Sequence, residues 1–169
     1  MADVVFNTSG STGDAKRIVR TEESLERDAS SIVASFPDIW ASRPAVVSSV
    51  RPEHMYGALW RVRAPAAAGS AVDPAIVTSV EELSALCSRY SKTVFVTTPS
   101  FLEKALNHPD FESLKGAFTA IVTSGSLLRA ETAFAVARKL ACCPTEIFGS
   151  TETGTVAYRR QTQGELWNV

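Results

Sequence analysis

Short apolar runs alternate along the chain with longer stretches in which apolar positions recur every three or four residues. Apolar runs of four to eight residues are typical of strands that are buried on both faces. They predict strands over 45–50, 92–96, 118–122 and 145–148, with short ones at 4–6 and near 70–72. The stretches with helical spacing predict helices over about 21–36, 54–68, 79–90, 99–107 and 126–140.

This alternation of strands and helices predicts an α/β fold class with a largely parallel sheet and helices on both faces. Ligands of such sheets bind beyond the carboxyl ends of the strands. The loops that follow the strands at 118–122 and 145–148 are therefore expected to face one crevice.

Composition narrows the class of protein. The chain has 169 residues, 45% of them hydrophobic and 21% charged, and a net charge of −1. These values fit one globular domain and give no sign of a nucleic-acid partner. No apolar run reaches the length of a membrane span. Three cysteines cannot all pair with one another, which predicts reduced thiols and a cytoplasmic protein.

A loop rich in glycine and hydroxyl groups follows the first predicted strand. Between Thr8 and Lys16 it carries the side chains that suit a polyphosphate, namely Thr8, Ser9, Gly10, Ser11, Thr12, Gly13 and Lys16. Glycines let successive backbone N–H groups turn toward an anion, and a lysine adds a mobile positive charge. The spacing differs from a Walker A loop, because Lys16 lies three residues beyond Gly13. An unrelated P-loop kinase is therefore disfavoured.

A second polar motif follows the last strong strand, over 146–154. Glu152 is a hard oxygen ligand that suits Mg²⁺ on a nucleotide phosphate. Thr151 can donate a hydrogen bond to a phosphate oxygen, and the ring of Phe148 offers a face for a base.

Together the two motifs resemble those of the adenylate-forming enzymes, a superfamily that includes acyl-CoA synthetases. The loop at 8–16 resembles that family's Thr-Ser-Gly-Ser-Thr-Gly-x-Pro-Lys-Gly signature, and 148–152 resembles its Tyr-Gly-x-Thr-Glu motif. Residues 121–128 resemble its adenine-side turn, and 52–57 its Pro-x-x-His-x-x-Gly segment beside the acyl pocket. The four motifs occur in the family order.

The resemblance implies roles for individual residues. Lys16, Thr151 and Glu152 would serve catalysis, with Glu152 as the Mg²⁺ ligand, and His54 and Gly57 would border the acid. The nucleotide would be bound by residues of the first loop together with Gly125, Ser126, Leu127, Phe148, Gly149, Ser150 and Thr151.

The implied reaction is attack of a small carboxylic acid on ATP to give an acyl-adenylate. The acyl group would then pass to a thiol, either coenzyme A or that of a carrier protein. A nucleotide-binding module without catalysis is the alternative.

The sequence also departs from the family pattern. Ala15 and Arg17 replace a proline and a glycine, and Phe148 and Leu127 replace a tyrosine and a proline. Counterparts of the family's ribose-binding aspartate and C-terminal lysine are missing. Residues 1–169 are therefore expected to be a single partial AMP-binding domain that lacks the small C-terminal domain and is inactive alone.

Several other residues receive a less specific interpretation. Trp40, Trp60 and Trp167 are expected to be packing residues. Arg20 lies close to the proposed phosphates, but a solvated position explains it equally well.

Overall fold

The computed structural model describes residues 3–8 and 16–169. Six strands form one sheet in the order β4-β3-β5-β6-β7-β8. Their bounds are β3 Ala45–Ser48, β4 Val72–Ile76, β5 Thr93–Thr97, β6 Phe118–Thr123, β7 Thr145–Ser150 and β8 Gly154–Arg159. All neighbouring pairs are parallel except β7 and β8, which form an antiparallel hairpin. The predicted α/β class with a largely parallel sheet is confirmed.

Helices cover both faces of the sheet. The α-helices are α1 Glu22–Ser35, α2 Pro37–Trp40, α3 Met55–Gly57, α4 Ala64–Ala68, α5 Val80–Cys87, α6 Pro99–Ala105 and α7 Ala130–Leu140. A π-helix over Ala58–Arg63 joins α3 to α4, so the helix predicted over 54–68 has a wider turn in its middle. Short 3₁₀ segments occupy Pro109–Leu114 and Gln161–Gln163.

Successive residues of the central strands point to opposite faces of the sheet, as strand geometry requires. Val46, Val94 and Val122 pack with α1, α2 and the helical segment 55–68. Val47, Phe95 and Ile121 pack with α5, α6 and α7. The two apolar layers fix the position and orientation of the strand ends at which the loops begin.

A separate two-stranded hairpin stands beside this sheet. It consists of β1, Asp3–Thr8, and β2, Lys16–Thr21, with Thr8 paired to Lys16. Phe6 is buried in the same core cluster as α1, which attaches the hairpin to the domain. The strand predicted at 4–6 is confirmed, whereas the sequence analysis did not predict β2 or β8.

The start of α1 shows why the chain turns from β2 into a helix. Thr21 has extended backbone angles, and its hydroxyl oxygen accepts from the N–H of Ser24 at 3.1 Å. Such a cap satisfies one of the donors left open in the first helical turn. No helix within 3–8 and 16–169 has the length and apolarity that crossing a membrane requires.

Candidate functional site

A cleft of about 1000 Å³ opens at the carboxyl ends of β6 and β7. Three predicted segments meet there: His54 before α3, the loop after β6, and the turn after β7. The predicted site residues that line it are His54, Gly125, Ser126, Leu127, Phe148, Gly149, Ser150 and Thr151. The expectation that the two loops share one crevice agrees with this arrangement.

The loop after β6 is tied to the neighbouring strand. The Ser124 hydroxyl donates to the carbonyl oxygen of Ile147 at 2.9 Å. Gly125 has a φ of +95°, a backbone conformation that glycine adopts without the steric cost other residues incur. The turn leaves Leu127 exposed at the cleft, where an apolar base or acyl group could cover it.

The turn after β7 is held by hydroxyl groups. The N–H of Ser150 donates to Thr153 Oγ1 at 3.2 Å, and the two hydroxyls lie 3.0 Å apart. A Cβ on Gly149 would overlap the carbonyl oxygen of Gly154, so the two arms of the turn approach closely. Phe148, 59% exposed, presents its ring to the cleft at the base of this turn.

Glu152 is an exposed carboxylate beside a positive charge. Hydrogen bonds from its own backbone N–H and from the Ser150 side chain hold its pKa below the usual value, and the charge of Lys16 lowers it further. Two residues that the sequence assigned to catalysis, 136 positions apart by their numbers 16 and 152, therefore interact in the fold. Ser9, Gly10, Ser11, Thr12 and Gly13 lie outside the described residues.

The ionised Glu152 carboxylate suits a hard divalent cation, which prefers oxygen ligands. No group of three or more histidine, cysteine or acidic side chains arranged to hold a metal occurs within the described ranges. A Mg²⁺ ion bound by one carboxylate and by substrate phosphates fits this donor set, because such ions are commonly held by one or two carboxylates.

The sequence analysis placed Arg20 near the proposed phosphates, with a solvated position as an equal alternative, and did not predict its contacts with this turn. Its Nη1 donates to the carbonyl oxygens of Thr151 and Glu152 at 3.3 and 3.2 Å. Its Nη2 lies 2.8 Å from the carboxylate of Asp28 on α1. One guanidinium thus joins β2, α1 and the turn after β7 that carries Thr151 and Glu152 (the Thr-Glu turn). Arg20 is therefore a positioning residue.

The segment before α3 forms another wall of the cleft. His54 is exposed and Gly57 is buried. A Cβ on Gly57 would overlap the carbonyl oxygen of Arg51, so this glycine permits close chain packing. The cleft formed by the described residues is lined by Leu59 of the π-helix and not by Gly57.

Tyr56 connects this wall to the sheet. Its hydroxyl lies 2.8 Å from the Val122 carbonyl oxygen and 3.1 Å from that of Thr97, at the ends of β6 and β5. Burial raises its pKa well above the usual value for tyrosine. The phenol therefore stays neutral and serves as a donor that holds the wall in place.

The sequence analysis expected Trp167 to be a packing residue, and it packs at the surface of the cleft rather than in the core. It lines the cleft and remains 36% exposed, 5.7 Å from Phe148 between ring centroids. The guanidinium of Arg159 lies 4.5 Å from the Trp167 ring centroid. Trp167 reaches this position because the chain after β8 returns along that strand, where Asn168 pairs with Tyr158. The expectation holds for Trp40 and Trp60, which are 3% and 0% exposed.

Comparison with known proteins gives a consistent result. Residues 4–168 match the family described as AMP-binding enzyme. A curated 4-coumarate–CoA ligase from Rhodobacter capsulatus is 29% identical over 162 residues, covering 94% of this chain and 40% of that protein. The chain thus spans well under half the length of this relative.

Solved structures share the fold. The ATP-bound MatB from Rhodopseudomonas palustris superposes with a TM-score of 0.80 at 18% identity, over 92% of this chain and 30% of that one. A malonyl-CoA ligase in complex with methylmalonyl-CoA and AMP gives a TM-score of 0.77 at 20% identity, over 95% and 35%. Since the family match covers nearly every residue, this chain belongs to the AMP-binding enzyme family.

Proposed function

We propose that this chain carries nucleotide-binding and acid-binding parts of an ATP-dependent acid–thiol ligase. The observation that carries the proposal is the convergence of the β6 loop, the Thr-Glu turn and His54 on one cleft, with Lys16 close to Glu152. Residues 1–169 would form a single partial AMP-binding domain, as the 40% coverage of the curated relative supports.

In the proposed first step, a carboxylate oxygen attacks the α-phosphorus of ATP. A bond forms between that oxygen and phosphorus, the bond to the β-phosphate oxygen breaks, and pyrophosphate leaves. Thr151 would donate to the α-phosphate, and Lys16 would balance charge on the β- and γ-phosphates. The adenine would lie between the Gly125–Leu127 turn and the Phe148 ring. Such a reaction depends on position and on charge stabilisation more than on proton transfer.

Glu152 would hold Mg²⁺ against the phosphates. When bound, the ion would neutralise part of the phosphate charge and orient the reacting groups. Arg20 would hold the turn in position by donating hydrogen bonds to two of its carbonyl oxygens. The lowered pKa of Glu152 favours the ionised carboxylate, which is the form that would bind the cation.

In the second step a thiol attacks the acyl carbon and AMP leaves. Coenzyme A is the proposed acceptor, because the curated relative and the malonyl-CoA ligase are named as ligases of that thiol. A carrier-protein thiol is the other acceptor compatible with the same adenylate chemistry.

Binding of a stable acyl-adenylate mimic tests the proposal on the chain itself. Hexanoyl-sulfamoyl adenosine keeps both the nucleoside and the acyl group, so an adenylation site should bind it at least tenfold more tightly than AMP. Isothermal titration calorimetry measures both constants. Equal affinities would indicate a nucleotide-binding module without an acid site and would contradict the proposal.

The roles of Lys16 and Glu152 separate by their dependence on Mg²⁺. Glu152→Gln should weaken ATP binding about tenfold at low Mg²⁺, with partial recovery as Mg²⁺ rises, whereas Lys16→Ala should not recover. Glu26→Gln, an exposed change on α1, is the matched control. Identical Mg²⁺ profiles for the first two variants would contradict the assigned roles.

A further inference from the structure

The cleft walls are dominated by apolar and aromatic side chains. Leu127 and Phe148 are proposed to border the adenine, and the apolar side chains that remain for the acid are Met55, Leu59, Val156 and Trp167. Val156 and Trp167 are 40% and 36% exposed, so this apolar surface is open to a ligand. Apolar surface that remains exposed inside a concave site is a feature of binding grooves.

Charged side chains are few in the described part of this lining. They are Glu146 and Arg159, and His54 adds an imidazole. Glu146 and Arg159 form an ion pair with 2.6 Å between Oε2 and Nε, and their side chains are only 4% and 16% exposed. The pair therefore belongs to the wall of the cleft.

Each partner of this pair also makes further contacts. Glu146 Oε1 accepts from the Leu128 N–H at 3.0 Å, and Oε2 accepts from Gln161 Nε2 at 3.2 Å. Arg159 stacks on Trp167 and donates from Nη1 toward the Glu165 carbonyl oxygen at 3.4 Å. Releasing Arg159 to a ligand would leave the buried Glu146 carboxylate without its counter-charge, which is strongly unfavourable.

We infer that the acid bound in this cleft is a monocarboxylic acid with an apolar or aromatic body, and that dicarboxylic acids are disfavoured. The inference rests on the proposed adenylation function. The reacting carboxylate is consumed in the phosphate bond, so only the far end of the acid meets the apolar walls. A second carboxylate there would lose its water, and the charge of Arg159 is already balanced by Glu146.

The test compares hexanoyl-sulfamoyl adenosine with adipoyl-sulfamoyl adenosine. The two mimics have acyl chains of equal length and differ in a terminal methyl versus a terminal carboxylate. We expect the hexanoyl compound to bind at least tenfold more tightly by calorimetry. Equal affinities, or tighter binding of the adipoyl compound, would overturn this inference and leave the proposed function intact. Failure of both compounds to bind would overturn the proposed function and the inference with it.

Two arginine variants test which surface causes the preference for the hexanoyl compound. Val156→Arg places a cation on the cleft side of β8 and should narrow the hexanoyl-to-adipoyl ratio at least threefold. Val72→Arg is the matched control, since Val72 is 38% exposed on β4 at the opposite edge of the sheet, and it should leave the ratio unchanged. An unchanged ratio in Val156→Arg would overturn the assignment of the apolar walls to the acyl group.

Discussion

At the scale of single residues, Arg20 shows how one side chain can set the position of the turn that carries Thr151 and Glu152. It contacts Thr151 across 131 residues of sequence and Asp28 across 8. Its Nη1 donates to backbone carbonyl oxygens of the turn, and its Nη2 and Nε donate to the side chains of Asp28 and Ser24. Because hydrogen bonds from charged donors to backbone oxygens are strong and directional, the guanidinium fixes the turn relative to α1.

Removal of the Arg20 side chain should affect the turn more than the fold. We expect Arg20→Ala to weaken Mg²⁺-ATP binding about tenfold by calorimetry. Asp28→Asn breaks the ion pair but keeps the donors to the turn, so it should lower the unfolding free energy with a smaller effect on affinity. Arg27→Ala, which removes an exposed arginine paired with Glu23, is the control for loss of a surface charge. An Arg20→Ala affinity equal to that of Arg27→Ala would contradict the positioning role.

Gly154 permits the tight return of the chain after the Thr-Glu turn. Its φ is +71°, and a Cβ there would overlap the Asp28 carboxylate. Gly154→Ala should therefore lower the unfolding free energy by about 2–4 kcal/mol in urea denaturation. Gly116→Ala, at a φ of +82° with open space around its Cβ, isolates the backbone strain and should cost about 1–2 kcal/mol. Equal losses for the two variants would show that the Asp28 contact is unimportant.

At the scale of elements, the π-helix over Ala58–Arg63 joins the helical segment 55–68, beside the cleft, to β8. Trp60 is fully buried, and its Nε1 donates to the Thr155 hydroxyl at 3.1 Å. The wider π turn changes the direction of the side chains that follow α3, with Leu59 toward the cleft. Periodicity predicts a helix at this place, but the choice between an α turn and a π turn depends on packing against β8.

Thr155→Val tests this connection between elements. The substitution keeps the shape of the side chain and leaves the buried indole N–H without its acceptor, which should cost about 1–3 kcal/mol of unfolding free energy. Thr155→Ser keeps the hydroxyl and should cost less. Denaturation followed by Trp fluorescence measures both. A Thr155→Val protein as stable as Thr155→Ser would show that the hydrogen bond contributes little.

Strand and helix prediction succeeded at this scale where a pattern is local. The strands β3, β5, β6 and β7 lie in the middle of the sheet and each contains a short apolar run, and the sequence predicted each within about two residues. The strands missed, β2 and β8, lie at edges and alternate with polar or charged residues such as Arg17, Arg20 and Arg159. Such residues need a partner strand before their extended form is favoured.

At the scale of the whole molecule, two buried or half-buried thiols make the free energy of unfolding depend on pH. All three cysteines are free. Burial raises the pKa of Cys87 and of Cys142 to about 11. An unfolded thiol has a pKa of about 8.5, so the folded protein retains these protons as the unfolded chain loses them. This stabilisation is complete below about pH 8.5 and is lost as pH rises toward 11.

The free energy of unfolding should therefore fall by about 2–3 kcal/mol for each thiol, on the order of 5 kcal/mol in total, between pH 8 and pH 11. Urea denaturation at intervals of one pH unit measures the decline. Cys142→Ala should reduce it, because one of the two groups no longer titrates. A free energy that is constant or rises over this range would contradict the prediction.

The sequence by itself determined the class of fold and the chemistry of the segments that meet at the cleft. Apolar runs, helical periodicity and loops rich in glycine and hydroxyl groups are local patterns, and each can be recognised within about ten positions. Tertiary structure decided what those segments do to one another. It brought Lys16 near Glu152, Arg20 to the Thr-Glu turn, and Trp167 to the cleft wall beside Arg159. These interactions depend on distances in space between residues that are remote along the chain, and hydrophobic periodicity carries no information about such distances.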